Sequence, residues 1–112
     1  MFVGADFSLE PSSVTQAEGV VARFFCRHPQ TVAFGWMING TALTLIEPRP
    51  PEIKDGSVLL SDGMGGAIST EALNITALPN YNATEVVCVA FLSNGTKDLS
   101  SPAILSVQGT SL

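Results

Sequence analysis

Apolar residues recur along this chain in short runs, at alternate positions and between turn-forming residues, which predicts β-strands rather than helices. A weakly alternating stretch from Ala5 to Leu9 stops at Pro11 and resumes from Val14 to Ala17, as expected of a first strand split by a proline. Val20 to Cys26 forms the next strand, with Val20, Ala22, Phe24 and Cys26 on one face. Phe25 then points outward, an unusual place for a lone aromatic unless a neighbouring domain covers it. Thr31 to Asn39 follows, with Val32, Phe34, Trp36 and Ile38 facing inward and Ala33, Gly35 and Met37 outward. Asn39-Gly40 is a turn, and Leu43 to Ile46 is a candidate strand after it. The cluster Pro48-Arg49-Pro50-Pro51 reads as a rigid extended loop.

The second half continues in the same way. Val58 to Leu60 is a short strand, and Asp62 to Gly66 is a flexible turn without the strand-before, helix-after context of a phosphate loop. Ala67 to Ile75 is a strand with Leu73 and Ile75 inward and Asn74 outward. Leu78 to Asn82 crosses to the other sheet. Thr84 to Ser93 places Val86, Cys88 and Ala90 inward and Glu85, Val87, Val89 and Phe91 outward. Asn94-Gly95 is another hairpin turn, and Leu99 to Val107 is a last strand broken near Pro102. The β-branched and aromatic content of these runs argues against helix, and no repeat is visible.

Two cysteines and one tryptophan lie within this pattern. Trp36 follows Cys26 by ten residues, and Cys88 follows Cys26 by 62. Cysteine count alone leaves two buried thiols as open as a bridge. With many short strands around it, the Cys-Trp-Cys spacing resembles that of the immunoglobulin superfamily, in an intermediate or variable-like set. The resemblance implies an all-β, immunoglobulin-like two-sheet antiparallel β-sandwich with Greek-key connections. It also implies one inter-sheet disulfide between Cys26 and Cys88, with Trp36 packed on it in the core. Such a bridge would contribute about 4 kcal/mol by restricting the unfolded chain. One departure stands out: the stretch before Cys88 carries Val86 where many members carry the tyrosine of a tyrosine corner. Tyr81 is the only tyrosine able to substitute.

The length of 112 residues suits one domain, expected over 5–108, with terminal stubs at 1–4 and 109–112. The start Met1-Phe2-Val3-Gly4 has neither the basic nor the apolar region of a signal peptide, so the chain reads as an excised piece of a larger precursor. No apolar stretch approaches membrane-spanning length, and no direct membrane insertion by this fragment is expected. The net charge is −5 with only five Lys and Arg, so neither nucleic acid nor an anionic membrane surface is an expected partner.

Four of the five asparagines, Asn39, Asn74, Asn82 and Asn94, begin N-x-Thr tripeptides without an intervening proline. Such density points to N-glycans and a secretory origin, hence the extracellular side of the plasma membrane or secretion. Asn39 and Asn94 also suit turns in their own right. A cytosolic muscle-type module is the compartment alternative, and the sequons argue against it. The single histidine, His28, reads as a surface loop residue, and no nucleophile motif, metal cluster or calcium loop is present, so neither enzyme activity nor a cofactor is expected.

The outward positions Gly35, Met37, Val87, Val89 and Phe91 are apolar or small where a solvated face would alternate to polar residues. Members of the superfamily commonly use this sheet, built on the strands at 31–39, 84–93 and 99–107, for face-to-face contact. The expectation is an extracellular recognition or adhesion domain that binds a protein, which could be a second copy of itself. The apolar side chains would make contact and Gly35 would permit close approach. The competing readings are a cover of this stripe by a neighbouring segment, a spacer in a tandem ectodomain, and an immune-type binder using loops at 30–31 and 94–98.

Overall fold

The computed structural model describes residues 7–29 and 31–109, with the side chains of residues 31 and 32 outside the description. The stub at 1–4, the start of the first expected strand at Ala5, the loop residue Gln30 and the last three residues therefore lie outside the described residues, as does the side chain of the expected core residue Val32. Among the described residues, nine strands form two sheets. The larger contains β1 (Val14–Ala17), β9 (Ala103–Gln108), β7 (Thr84–Leu92), β3 (Thr31–Ile38) and β4 (Thr41–Ala42) in that order, with β8 (Lys97–Leu99) also paired to β7. The smaller has the order β2 (Val21–Cys26), β6 (Ala67–Thr76), β5 (Ile53–Ser61).

The cysteines join the two sheets. Cys26 at the end of β2 is bonded to Cys88 on β7, and both are fully buried. Trp36 stands opposite Cys88 in the β3–β7 register and is buried with Phe24, Leu73, Ile75, Val86 and Leu105. These residues come from alternate positions of facing strands, as two apolar sheet faces packed together require.

The first strand divides between the sheets. Leu9 forms a bridge with Arg27 just beyond β2, whereas β1 pairs in parallel with β9. At the other end of the chain, Pro102 interrupts the last strand and separates β8 from β9. Ser100 fills the gap: its backbone N–H donates to the Cys88 carbonyl, and its hydroxyl accepts from the Cys88 N–H, both at 2.9 Å.

Several expectations change. Val20 is 45% exposed and precedes β2, because Gly19, at a φ of +88°, turns the chain before the alternation begins. The strand expected at Leu43 to Ile46 is instead the two-residue β4 followed by a 3₁₀ turn over Leu43–Leu45, which buries Leu43. The three-residue strand at Val58 to Leu60 is nine residues long, because β6 pairs continuously with Ile53–Ser61 and recruits Lys54, Asp55 and Gly56 despite their weak strand preference. Tyr81 does not make a tyrosine corner. Its hydroxyl donates to Glu52 Oε1 at 3.0 Å, a side chain rather than a backbone group. His28 is buried rather than a surface loop residue; its Nε2 lies 2.8 Å from Asp98 Oδ2, and Phe7 packs edge-on against the ring.

Candidate protein-binding face

The antiparallel register of β3, β7 and β8 builds the outer face of the larger sheet. Ala33, Phe91 and Lys97 form one row, Gly35, Val89 and Leu99 the next, and Met37 lies beside Val87. Residues paired across neighbouring strands project to the same face, so these rows form a continuous apolar strip ending at Lys97. Ile104 on β9, opposite Glu85, extends it past Val87. Phe91, Leu99 and Ile104 are exposed, and Leu45 of the 3₁₀ turn overhangs the strip at 74% exposure.

A groove of about 370 Å³ opens there, lined among others by Gly35, Met37, Ala42, Leu45, Val89 and Phe91. The asparagine-glycine turn after β3 returns the chain as β4, and the 3₁₀ turn brings Leu45 to the groove. An apolar concavity with a cation at its margin suits a side chain of a protein partner.

The five expected contact residues occupy this one region but differ in access. Phe91 is 43% exposed and Met37 and Val87 are half-buried, whereas Val89 is only 5% exposed and forms part of the floor. Gly35 does not keep the surface open for a partner. The Phe91 ring of its own chain occupies that space. Leu45, Leu99 and Ile104 join the face without having been singled out. Register places Leu99 and Ile104 there once β8 and β9 are known to flank β7, and Leu45 depends on the 3₁₀ turn, for which the alternation gave no signal.

The N-x-Thr asparagines lie off this face. Asn39 and Asn82 are exposed where β3 ends and β7 begins, and Asn94 is exposed at the opposite end, in the turn from β7 to β8. In each, the side-chain oxygen accepts a backbone N–H: Asn39 from Glu85 at 2.8 Å, Asn82 from Val107 at 2.9 Å and Asn94 from Thr96 at 3.0 Å. Asn74 differs. It sits in the middle strand of the smaller sheet between Arg23 and Lys54, half-buried, and its Oδ1 is buried without a hydrogen-bond partner.

Among the described residues no cluster of three or more His, Cys, Asp or Glu could hold a metal ion. One carboxyl does sit in an unusual place. Glu71 projects from β6 on the core-facing side, opposite Cys26 and Ser57. Burial raises its pKa, and the charge of Asp55 raises it further, against the Ser57 hydroxyl 3.4 Å away.

No family model matches the chain, and no curated protein sequence matches it. Solved structures do. A chimeric titin Z1Z2 functionalized with a KLER exogenous peptide from decorin aligns over 92% of each chain at 23% identity and a TM-score of 0.63. The titin M3 domain aligns over 91% of this chain and 94% of its own, at 20% identity and a TM-score of 0.61. The fold is immunoglobulin-like. Titin domains Z1Z2 in complex with telethonin align over all of this chain but 52% of theirs, at 22% identity and a TM-score of 0.66, so this chain spans about half of that assembly's titin chain.

Proposed function

We propose that this domain is an extracellular recognition module that binds another protein through the β3–β7–β8 face, with no catalytic role. The observation that carries the reading is the apolar groove bordered by Phe91, Met37 and Leu45, while the three exposed N-x-Thr asparagines sit at the ends of the sandwich. Glycans at those ends would leave the face bare, and the sequons support secretion. Phe91, Met37 and Leu45 are the contact residues, Val87 packs beside them, and Val89 and Gly35 shape the floor.

The test uses the domain secreted from mammalian cells, tetramerised and applied to a panel of cell types. Phe91→Asp should reduce bound label at least tenfold relative to wild type while leaving the thermal midpoint nearly unchanged, as expected for an exposed aromatic at an interface centre. Equal binding by both proteins rules out this face. Native protein with free thiols and bare asparagines would rule out the extracellular assignment.

A structural spacer in a tandem array is the second reading. It is favoured by the likeness to multidomain titin fragments, including an I67–I69 fragment of which this chain covers 34%, and by half-buried Phe25 on the outer side of β2. A tetramer that labels no cell, together with a domain stabilised by a covalently linked neighbour, would support it.

A further inference from the structure

The smaller sheet ends in a hairpin whose outer strand has no strand on its far side. Nine residues of β5 pair with β6 without a register shift, and among the described residues no strand pairs with the opposite edge of β5. Such an edge carries a row of backbone donors and acceptors open to another strand, and natural edges are commonly protected by proline, a bulge or charge. β5 contains no proline, and its last six residues, from Gly56 to Ser61, contain no charge.

The hairpin is held partway along and at its tip. Thr70, opposite Val58, accepts at its Oγ1 from Arg27 Nε at 2.8 Å. At its tip, Asp62 Oδ1 accepts the N–H groups of Met64 at 2.7 Å and Gly66 at 3.0 Å. A fixed edge of this kind presents its side chains in one register.

That register is self-complementary. The run Ser57-Val58-Leu59-Leu60-Ser61 reads nearly the same in both directions. In an antiparallel pairing about a two-fold axis through Leu59, Leu59 stands opposite the partner's Leu59. Val58 then stands opposite the partner's Leu60, and Ser57 opposite the partner's Ser61. Isologous contacts require this kind of match between a surface and itself. The charges do not oppose it. The paired run Ser57–Ser61 carries none, and Lys54 and Asp55 lie beyond it, where Asp55 Oδ1 accepts from Arg49 Nη1 at 2.8 Å, so the axis sets no like charges against each other along the strand.

The side chains on this edge have surface to lose. Leu59 is 72% exposed, and Val58, Met64 and Ile68 are exposed as well. Leu60 lies beside Ile68 in the hairpin register, so pairing would extend that patch across the axis through the partner's Val58. The three exposed N-x-Thr asparagines, Asn39, Asn82 and Asn94, lie outside this hairpin beside strands of the larger sheet, whereas half-buried Asn74 lies within it opposite Lys54.

We infer that the domain pairs with a second copy of itself along β5, joining two three-stranded sheets into one six-stranded sheet. The contact is independent of the binding face assigned above, which stays open in the pair.

Sedimentation from micromolar to several hundred micromolar, with wild type, Leu59→Lys, Leu59→Cys and Phe91→Asp, tests it. Wild type should dimerise reversibly. Leu59→Lys, which sets two lysines against each other on the axis, should weaken dimerisation at least tenfold. Phe91→Asp should dimerise as wild type does. With Cys26 and Cys88 bridged and no free cysteine present, Leu59→Cys should become a disulfide-linked dimer under mild oxidation, and a cysteine at exposed Ser93 should not. A wild type that remains monomeric throughout overturns the inference and leaves a foreign strand as the occupant of this edge. A dimer lost in Phe91→Asp and kept in Leu59→Lys also overturns it, and assigns self-association to the opposite sheet. Failure of Leu59→Cys to cross-link at concentrations where wild type is dimeric overturns the two-fold register.

Discussion

The Phe91 ring lies over Gly35, so close that a methyl group at residue 35 would stand 3.2 Å from Phe91 Cε2. Glycine is therefore needed there for the shape of the groove floor, and the aromatic ring supplies the packing that a strand glycine lacks.

Gly35→Ala should accordingly separate stability from binding. Phe91 is partly exposed and can move outward by a few tenths of an ångström. The stability change should stay under about 1 kcal/mol, because alanine also offsets some of the glycine's conformational cost. Binding to cells that capture the wild-type tetramer should fall, and paired denaturant titration and cell-binding curves would show the two effects apart.

Glu71→Gln should make stability less dependent on pH. The carboxyl's pKa is raised in the folded protein, chiefly by burial. The native state thus holds a proton there that the unfolded chain releases sooner. Stability from this group is fully present below the ordinary carboxylate range and is lost as pH rises through the raised value. Glutamine carries no charge to desolvate, so the variant should gain on wild type above that window and match it at lower pH. Thermal midpoints across acid to neutral pH would show the curves separating upward; a variant less stable than wild type at neutral pH would assign the larger effect to the interactions of the carboxylate with Ser57 and Trp36.

Replacing His28 with alanine should cost stability on the order of 1–3 kcal/mol, since it leaves Asp98 without this partner and removes the ring on which Phe7 packs. The change should appear as a lower urea midpoint with an unaltered slope. Asp98→Asn keeps a polar atom near His28 and should lose less.

The Cys26→Ala, Cys88→Ala pair should destabilise the domain by about 2–5 kcal/mol, reflecting the 62-residue separation that the bridge closes in the unfolded chain. Guanidinium unfolding of the oxidised protein and the double variant would measure it.

Much of the fold was legible because side chains and backbone give the same instruction. Ala22, Phe24 and Cys26 alternate with outward residues on β2, and Leu73 and Ile75 do so on β6. Where only the backbone decides, the pattern is silent. Lys54, Asp55 and Gly56 show no strand signature, yet they pair because β6 offers a continuous ladder. The 3₁₀ turn at Leu43–Leu45 replaces a strand because Leu43 turns into the core after only two paired residues of β4. The candidate face was legible from the outward stripe on β3 and β7. Its depth was not: parity gives the side of a sheet, whereas the burial of Val89 depends on what lies beside it, with Gly35 on one strand and Leu99 on the other. The burial of His28 likewise depends on Asp98, seventy residues away in the chain.

The split first strand has a mechanical consequence for opening. Leu9 is tied to the strand that bears Cys26, and Val14–Ala17 is tied to β9, so a single short stretch of chain bridges both layers at the rim while the disulfide bridges them at the centre. Peeling the layers apart from that rim must break two sets of backbone bonds belonging to different sheets. The segment from Leu9 to Ala17 therefore acts as a latch across the seam, and its release would come before any separation of the layers around the sulfur bridge.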